Sequence, residues 1–92
     1  MTTPEGRLKN QLLKLIKEHG GYCLKTEFVA RSGCPDWLVL LPLEGRFFWI
    51  ELKRPGGKVS VFQKLIIEVM KKSGIPVFIA DNIEEIKEKC GL

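Results

Sequence analysis

The sequence predicts an α/β domain, a single sheet with helices packed on it in the order α-β-β-β-α-β-α. Three observations predict it. Apolar residues recur at helical spacing in two separate stretches, Leu8, Leu12, Leu15 and Ile16, and then Phe62, Leu65, Ile66, Val69 and Met70, a period that gathers them on one side of a helix. Between these stretches lie two dense apolar and aromatic runs, 36–41 and 46–53, joined by Pro42-Leu43-Glu44-Gly45, which reads as a hairpin. The chain has 92 residues, enough for one domain, 1–92, with a thin core: about 60–65% of the unfolded surface is buried at this size.

The first helix opens at Thr2-Thr3-Pro4-Glu5, where a threonine caps, proline suits the first turn and an acid meets the positive end of the helix dipole. Gly20-Gly21 stops it. Tyr22 to Val29 is rich in β-formers and reads as a strand, and 30–35 as a loop. The hairpin strands follow, and then a basic loop, 54–58. Ser60 caps a second helix that runs to Ser73-Gly74, and Gln63 stands at capping-box spacing from it. Ile75 to Ala80 is a last strand, with Pro76 suited to its start or to an edge. Asp81-Asn82 begins a short charged helix ending near Lys89.

Composition narrows the function classes. At 45% hydrophobic and 28% charged the chain is globular rather than disordered. No apolar run approaches the roughly 20 residues that cross a membrane, and no basic stretch followed by an apolar block marks a secretory leader. A cytoplasmic protein is expected. Cys23, Cys34 and Cys90 fit neither a disulfide framework nor a zinc spacing and read as reduced thiols. A net charge of +4 is compatible with phosphate binding and also ordinary for a soluble protein. His19, at the end of the first helix, suits its dipole better than a catalytic base. Trp37 and Trp49 read as core.

The hairpin places chemistry at its ends. If Leu41 and Arg46 close the loop, Asp36 comes opposite Glu51, with Cβ atoms about 4.5–5.5 Å apart. Phe47, Trp49, Glu51 and Lys53 then share a sheet face with Leu38 and Leu40, because strand side chains alternate. The face runs from apolar into Asp, Glu and Lys. Two carboxylates this close repel unless something positive lies between them, and hard oxygen ligands suit a divalent cation such as Mg²⁺ or Mn²⁺. A lysine one step on can meet the charge that develops on an attacked phosphate.

Glu5, Gly33-Cys34-Pro35-Asp36, Glu51-Leu52-Lys53 and Gln63, in that order and spacing, resemble the PD-(D/E)XK nuclease pattern, in particular the stand-alone virus-type replication–repair nuclease (VRR-NUC) family. The resemblance spans residues 5 to about 80. It implies a restriction-endonuclease-like αβββαβ core with a mixed sheet flanked by helices. It further implies that Asp36, Glu51 and the carbonyl of Leu52 bind the metal, that Lys53 positions or activates water, and that Gln63 and Glu5 support the site. Stand-alone members resemble Holliday-junction resolvases acting as homodimers, which makes a four-way DNA junction the expected substrate. Arg31, Arg54, Lys58 and Lys64 flank the site and are expected to contact the DNA backbone.

Each residue has a plainer reading. Glu5 follows Thr2, and Gln63 follows Ser60, at the spacing of a capping box, and the basic residues fit an ordinary solvated rim. The helical stripe Glu5, Leu8, Leu12, Ile16 aims Glu5 toward the sheet instead. Glu51 can pair with Lys53 or Lys25, but it also interrupts a nearly continuous apolar run. Two other functions use the same residues: a non-catalytic nucleic-acid-binding or assembly module on this fold, and a nuclease directed at RNA.

Overall fold

The computed structural model describes residues 3–27, 33–54 and 56–92, and of Glu5 the backbone only. Thr3 caps the first helix, its hydroxyl accepting from the Gly6 amide at 3.0 Å, and Pro4 takes the first turn of α1 (Pro4–Glu18). With Thr3 as the cap, Glu5 sits at the second helical position and not at the third, where a capping box needs its acid. Thr2 lies outside the described residues.

β1 (Tyr22–Lys25), β2 (Trp37–Leu41), β3 (Arg46–Leu52) and β4 (Val77–Ala80) form one sheet in the order β1-β2-β3-β4. The first three strands are antiparallel and β3 pairs parallel with β4, so the sheet is mixed. The parallel step needs a crossover, supplied by α2 (Val61–Lys72), and α3 (Ile83–Cys90) closes the chain. The hairpin pairs Leu41 with Arg46 and Trp37 with Ile50, the register that the four-residue loop predicts.

β1 ends earlier than its β-forming composition suggests. Thr26 turns its amide to the Asp36 carbonyl at 2.7 Å and its hydroxyl to the carbonyls of Pro35 and Asp36, both at 3.0 Å. Residues 28–32 lie outside the described structure. Asp36 falls one residue before β2, and Lys53 one residue after β3 with its amide bonded to the Ala80 carbonyl at 2.9 Å.

The core lies on one face of the sheet. Leu8, Leu12, Leu15 and Ile16 of α1, with Ile86 and Cys90 of α3, pack on Trp37, Val39, Leu41, Phe48 and Ile50. Full burial of such side chains contributes about 1.5–3 kcal/mol each before entropy is counted. Trp37 is buried as expected, whereas Trp49 stands half-buried on the opposite face. That face is thinly covered: α2 packs along β4 and buries Ile67, leaving Phe62, Leu65 and Val69 exposed. Only part of the apolar stripe of α2 therefore enters a core.

His19 caps the end of α1 and also lies 3.4 Å from Glu44. The three cysteines are free thiols, and burial pushes Cys23 and Cys90 up to about 11. Among the described residues no helix is long and apolar enough to cross a membrane.

Candidate active site

Glu51 is 4% exposed and is the buried charged residue of the described structure. Three groups surround its carboxylate. The Asp36 backbone amide donates to Oε2 at 3.2 Å, the Gln63 side-chain amide donates to Oε1 at 3.1 Å, and the Lys53 ammonium lies 3.6 Å from Oε1. A buried carboxylate without such partners would be costly. Burial first, and the negative charge of Asp36 second, push the Glu51 carboxyl above its usual 4.5, against the opposing pull of Lys53 and the Asp36 amide.

Each partner is positioned by local structure. Ser60 and Gln63 form a full capping box: the Ser60 hydroxyl accepts from the Gln63 amide at 3.1 Å, and the Gln63 carbonyl oxygen accepts from the Ser60 amide at 3.0 Å. The Gln63 NH₂ is thereby left to face Glu51, so one side chain serves as cap and as support. Asp36 follows the fully buried Pro35, and Thr26 grips the carbonyls of both. Gly33, at φ +88°, passes so close to α2 that a Cβ there would lie 2.8 Å from the Phe62 carbonyl. This approach seats the loop before Asp36 against the start of α2.

The structure thus brings Asp36, Glu51, Lys53 and Gln63 together, with Leu52 between two of them at the end of β3. Arg54, Lys58 and Lys64 are exposed; Arg54 follows Lys53 and Lys64 follows Gln63, so these two border the site. Lys25, the other candidate partner of Glu51, lies over the Trp37 ring instead, 5.2 Å from its centroid. Arg31 and the Glu5 side chain lie outside the described residues. Thr26 is a contributor that the sequence pattern does not mark, because ten positions separate it from Asp36.

The donor set fits a hard divalent cation. Among the described residues no three His, Cys, Asp or Glu side chains gather into a dense protein cage. Mg²⁺ does not require one, since it keeps several waters and takes one or two carboxylates. The half-buried Asp36 beside the desolvated Glu51 offers two such carboxylates.

A pH dependence follows. With its folded-state value raised, Glu51 binds its proton more tightly in the folded protein than in the unfolded chain, so its contribution to stability is present below about pH 4.5 and is lost as pH rises through the folded value. Melting temperatures measured in chelator are expected to fall more from pH 4.5 upward in the wild type than in Glu51→Gln. Parallel curves would contradict the assignment.

Comparison with known proteins agrees with this architecture. A sequence profile of the VRR-NUC domain matches residues 4–82. "Putative nuclease p44" of Acyrthosiphon pisum secondary endosymbiont phage 1 is 34% identical over 59 residues, 64% of this chain and 62% of that protein. The chain thus matches less than two thirds of that relative's length. A solved structure described as a VRR_NUC domain superposes with a TM-score of 0.88 at 28% identity, covering 98% of this chain and 97% of that one. The chain belongs to the VRR-NUC family of nuclease domains.

Proposed function

We propose that this nuclease domain is a metal-dependent DNA endonuclease that uses Mg²⁺ or Mn²⁺ to hydrolyse phosphodiester bonds, with four-way junctions as its favoured substrate. The observation that carries the reading is the buried Glu51, flanked by Asp36 and by Lys53 at 3.6 Å. A merely structural ion pair has no need of a second carboxylate that raises the pKa of the first.

Asp36, Glu51 and the Leu52 carbonyl would hold the cation. When bound, it supplies a Lewis acid for the phosphate and eases deprotonation of water. Gln63 fixes the Glu51 carboxylate so that it does not rotate away as charge changes. Lys53, 18% exposed, orients the attacking water and offsets the charge that develops on the phosphate. The water oxygen would bond to phosphorus and give up a proton to solvent, while the P–O ester bond breaks and the leaving oxygen takes a proton from solvent to depart as an alcohol. Arg54, Lys58, Lys64 and Arg31 supply cations for neighbouring phosphates, contacts that position DNA without reading its sequence.

The junction preference rests on symmetry and family. A domain this small does not enclose a branched DNA alone, and a two-fold homodimer places two identical sites in a relation that matches a four-way junction. The test is a cleavage panel of junction, flap, single strand, duplex and RNA, with and without divalent metal. Metal-dependent cleavage with the junction cut fastest supports the proposal. Binding without cleavage would favour a non-catalytic module, and preferred cutting of RNA would replace the DNA reading.

A further inference from the structure

A hollow opens at the same end of the sheet as the carboxylates, on the side of α1 and α3. Leu52 pairs with Ala80, and the Lys53 amide donates to the Ala80 carbonyl at 2.9 Å. Asp81, the next residue, already lines the hollow, together with Arg7 and Leu8 of α1 and Ile83 and Glu84 of α3. Adjacent strands lie about 4.8 Å apart, so the mouth of the hollow is within one nucleotide of Lys53. Its volume is about 310 Å³. A cavity of about 150 Å³ already holds a benzene ring, so the space here admits a two-ring purine.

The charges around it are mixed and unpaired. Arg7 and Glu84 are exposed, and among the described residues neither side chain makes a hydrogen bond or an ion pair. The Asn82 side-chain amide donates to Asp81 Oδ1 at 2.7 Å and so orients that carboxylate. Two carboxylates beside one guanidinium disfavour a backbone phosphate, which demands a surplus of cations. A base edge suits them better, and guanine suits them best. Its N7 and O6 form a pair of acceptors for the fork of an arginine, and its N1–H and N2 amino group form a pair of donors for a carboxylate. Adenine sets a donor, N6, beside N7, where Arg7 needs two acceptors. Cytosine and thymine lack the second ring. Leu8 and Ile83 add apolar wall for the ring faces. In a duplex the N1 and N2 donors are taken by the pairing partner, so the guanine must be unpaired, as at a branch point or flap, where extruding a base costs least.

We propose that the hollow between α1 and α3 is a subsite for an unpaired guanine next to the scissile phosphate, with Arg7 donating to O6 and N7 and Glu84, beside Asp81, accepting from N1–H and N2–H₂. The proposal rests on the DNA reading above and adds a base preference to it. Arg54, Lys58 and Lys64 hold phosphates of any sequence, and the hollow supplies the base contact that they lack.

Fluorescence anisotropy in chelator, which separates binding from metal-dependent cleavage, tests it on duplexes that differ only in one bulged base, G, A, C or T. Wild-type protein is expected to bind the guanine bulge about tenfold tighter than the other three, the scale of one bidentate base contact. Arg7→Ala and Glu84→Gln should each abolish that preference, with wild-type circular dichroism showing that both are folded. Lys9→Ala removes a charge from an exposed position of α1 outside the hollow, so it should weaken all four complexes alike and keep the preference. A phosphate in the hollow predicts the opposite sign for Glu84→Gln, since losing a carboxylate would then tighten every complex. That result, a wild type without guanine preference, or a preference that survives either variant would overturn the proposal. A guanine preference lost in both variants of a protein that cuts no DNA when Mg²⁺ or Mn²⁺ is restored would uphold the subsite and overturn the metal-dependent cleavage reading alone.

Discussion

Replacing Lys53 with alanine is expected to lower cleavage about 10²-fold or more, the scale of losing a proton-transfer or charge-stabilising group, while metal and DNA binding largely persist. Its ammonium lies 3.6 Å from Glu51 and is mostly withdrawn from water, which strengthens its field at a nearby phosphate. The variant keeps both carboxylates and the Gln63 and Asp36 hydrogen bonds to Glu51. Binding and chemistry should therefore separate. The loss also removes one of the groups that hold the Glu51 carboxyl down, so the remaining activity should need a higher pH than the wild type. Single-turnover rates across pH, with binding measured by fluorescence anisotropy, check both statements. Wild-type rates in Lys53→Ala would remove Lys53 from the mechanism.

Asp36→Asn is expected to have the larger effect, a fall of about 10³-fold or more, since the charge stabilisation supplied through a metal is worth several kcal/mol and each 1.36 kcal/mol is tenfold in rate. The substitution leaves the Asp36 backbone amide on Glu51 and the Thr26 contacts in place. It removes the negative charge that raises the Glu51 carboxyl, so the metal-free variant should be at least as stable as the wild type. A catalytic loss accompanied by unchanged or improved stability identifies a functional carboxylate. Wild-type cleavage by Asp36→Asn would show that the cation is held elsewhere.

Much of this site is legible in the amino-acid sequence. A hairpin with a four-residue loop fixes its own register, so Pro42 and Gly45 alone place Asp36 and Glu51 together. Period-two alternation then puts Lys53 on the same side. Gln63 is legible as a cap, and the structure shows that the cap and the site use different ends of one side-chain amide, its oxygen accepting from the Ser60 amide and its NH₂ donating to Glu51. Long-range geometry is not legible. Thr26 reaches Asp36 through carbonyls ten positions away, and the close passage of Gly33 beside Phe62 depends on where α2 lands. Nor does helical periodicity say what an apolar stripe faces. Phe62, Leu65 and Val69 keep the period of a buried face and are exposed, and Trp49 alternates onto the thinly covered side of the sheet. The first helix begins one residue later than Thr2 suggests, which is enough to shift Glu5 off the capping-box position.

Metal-induced stabilisation tests the central claim most directly, because it reads the carboxylate pair without requiring a substrate. A cation that binds only the folded protein stabilises it by RT ln(1 + [L]/Kd), about 2.7 kcal/mol at a hundredfold excess over Kd, which in a domain this size raises the Tm by roughly 10–20 °C. Wild-type protein is expected to show a rise of up to this size in millimolar Mg²⁺ or Mn²⁺, and Asp36→Asn is expected to lose most of it. An equal shift in both proteins, or none in the wild type, would contradict a metal site at Asp36 and Glu51.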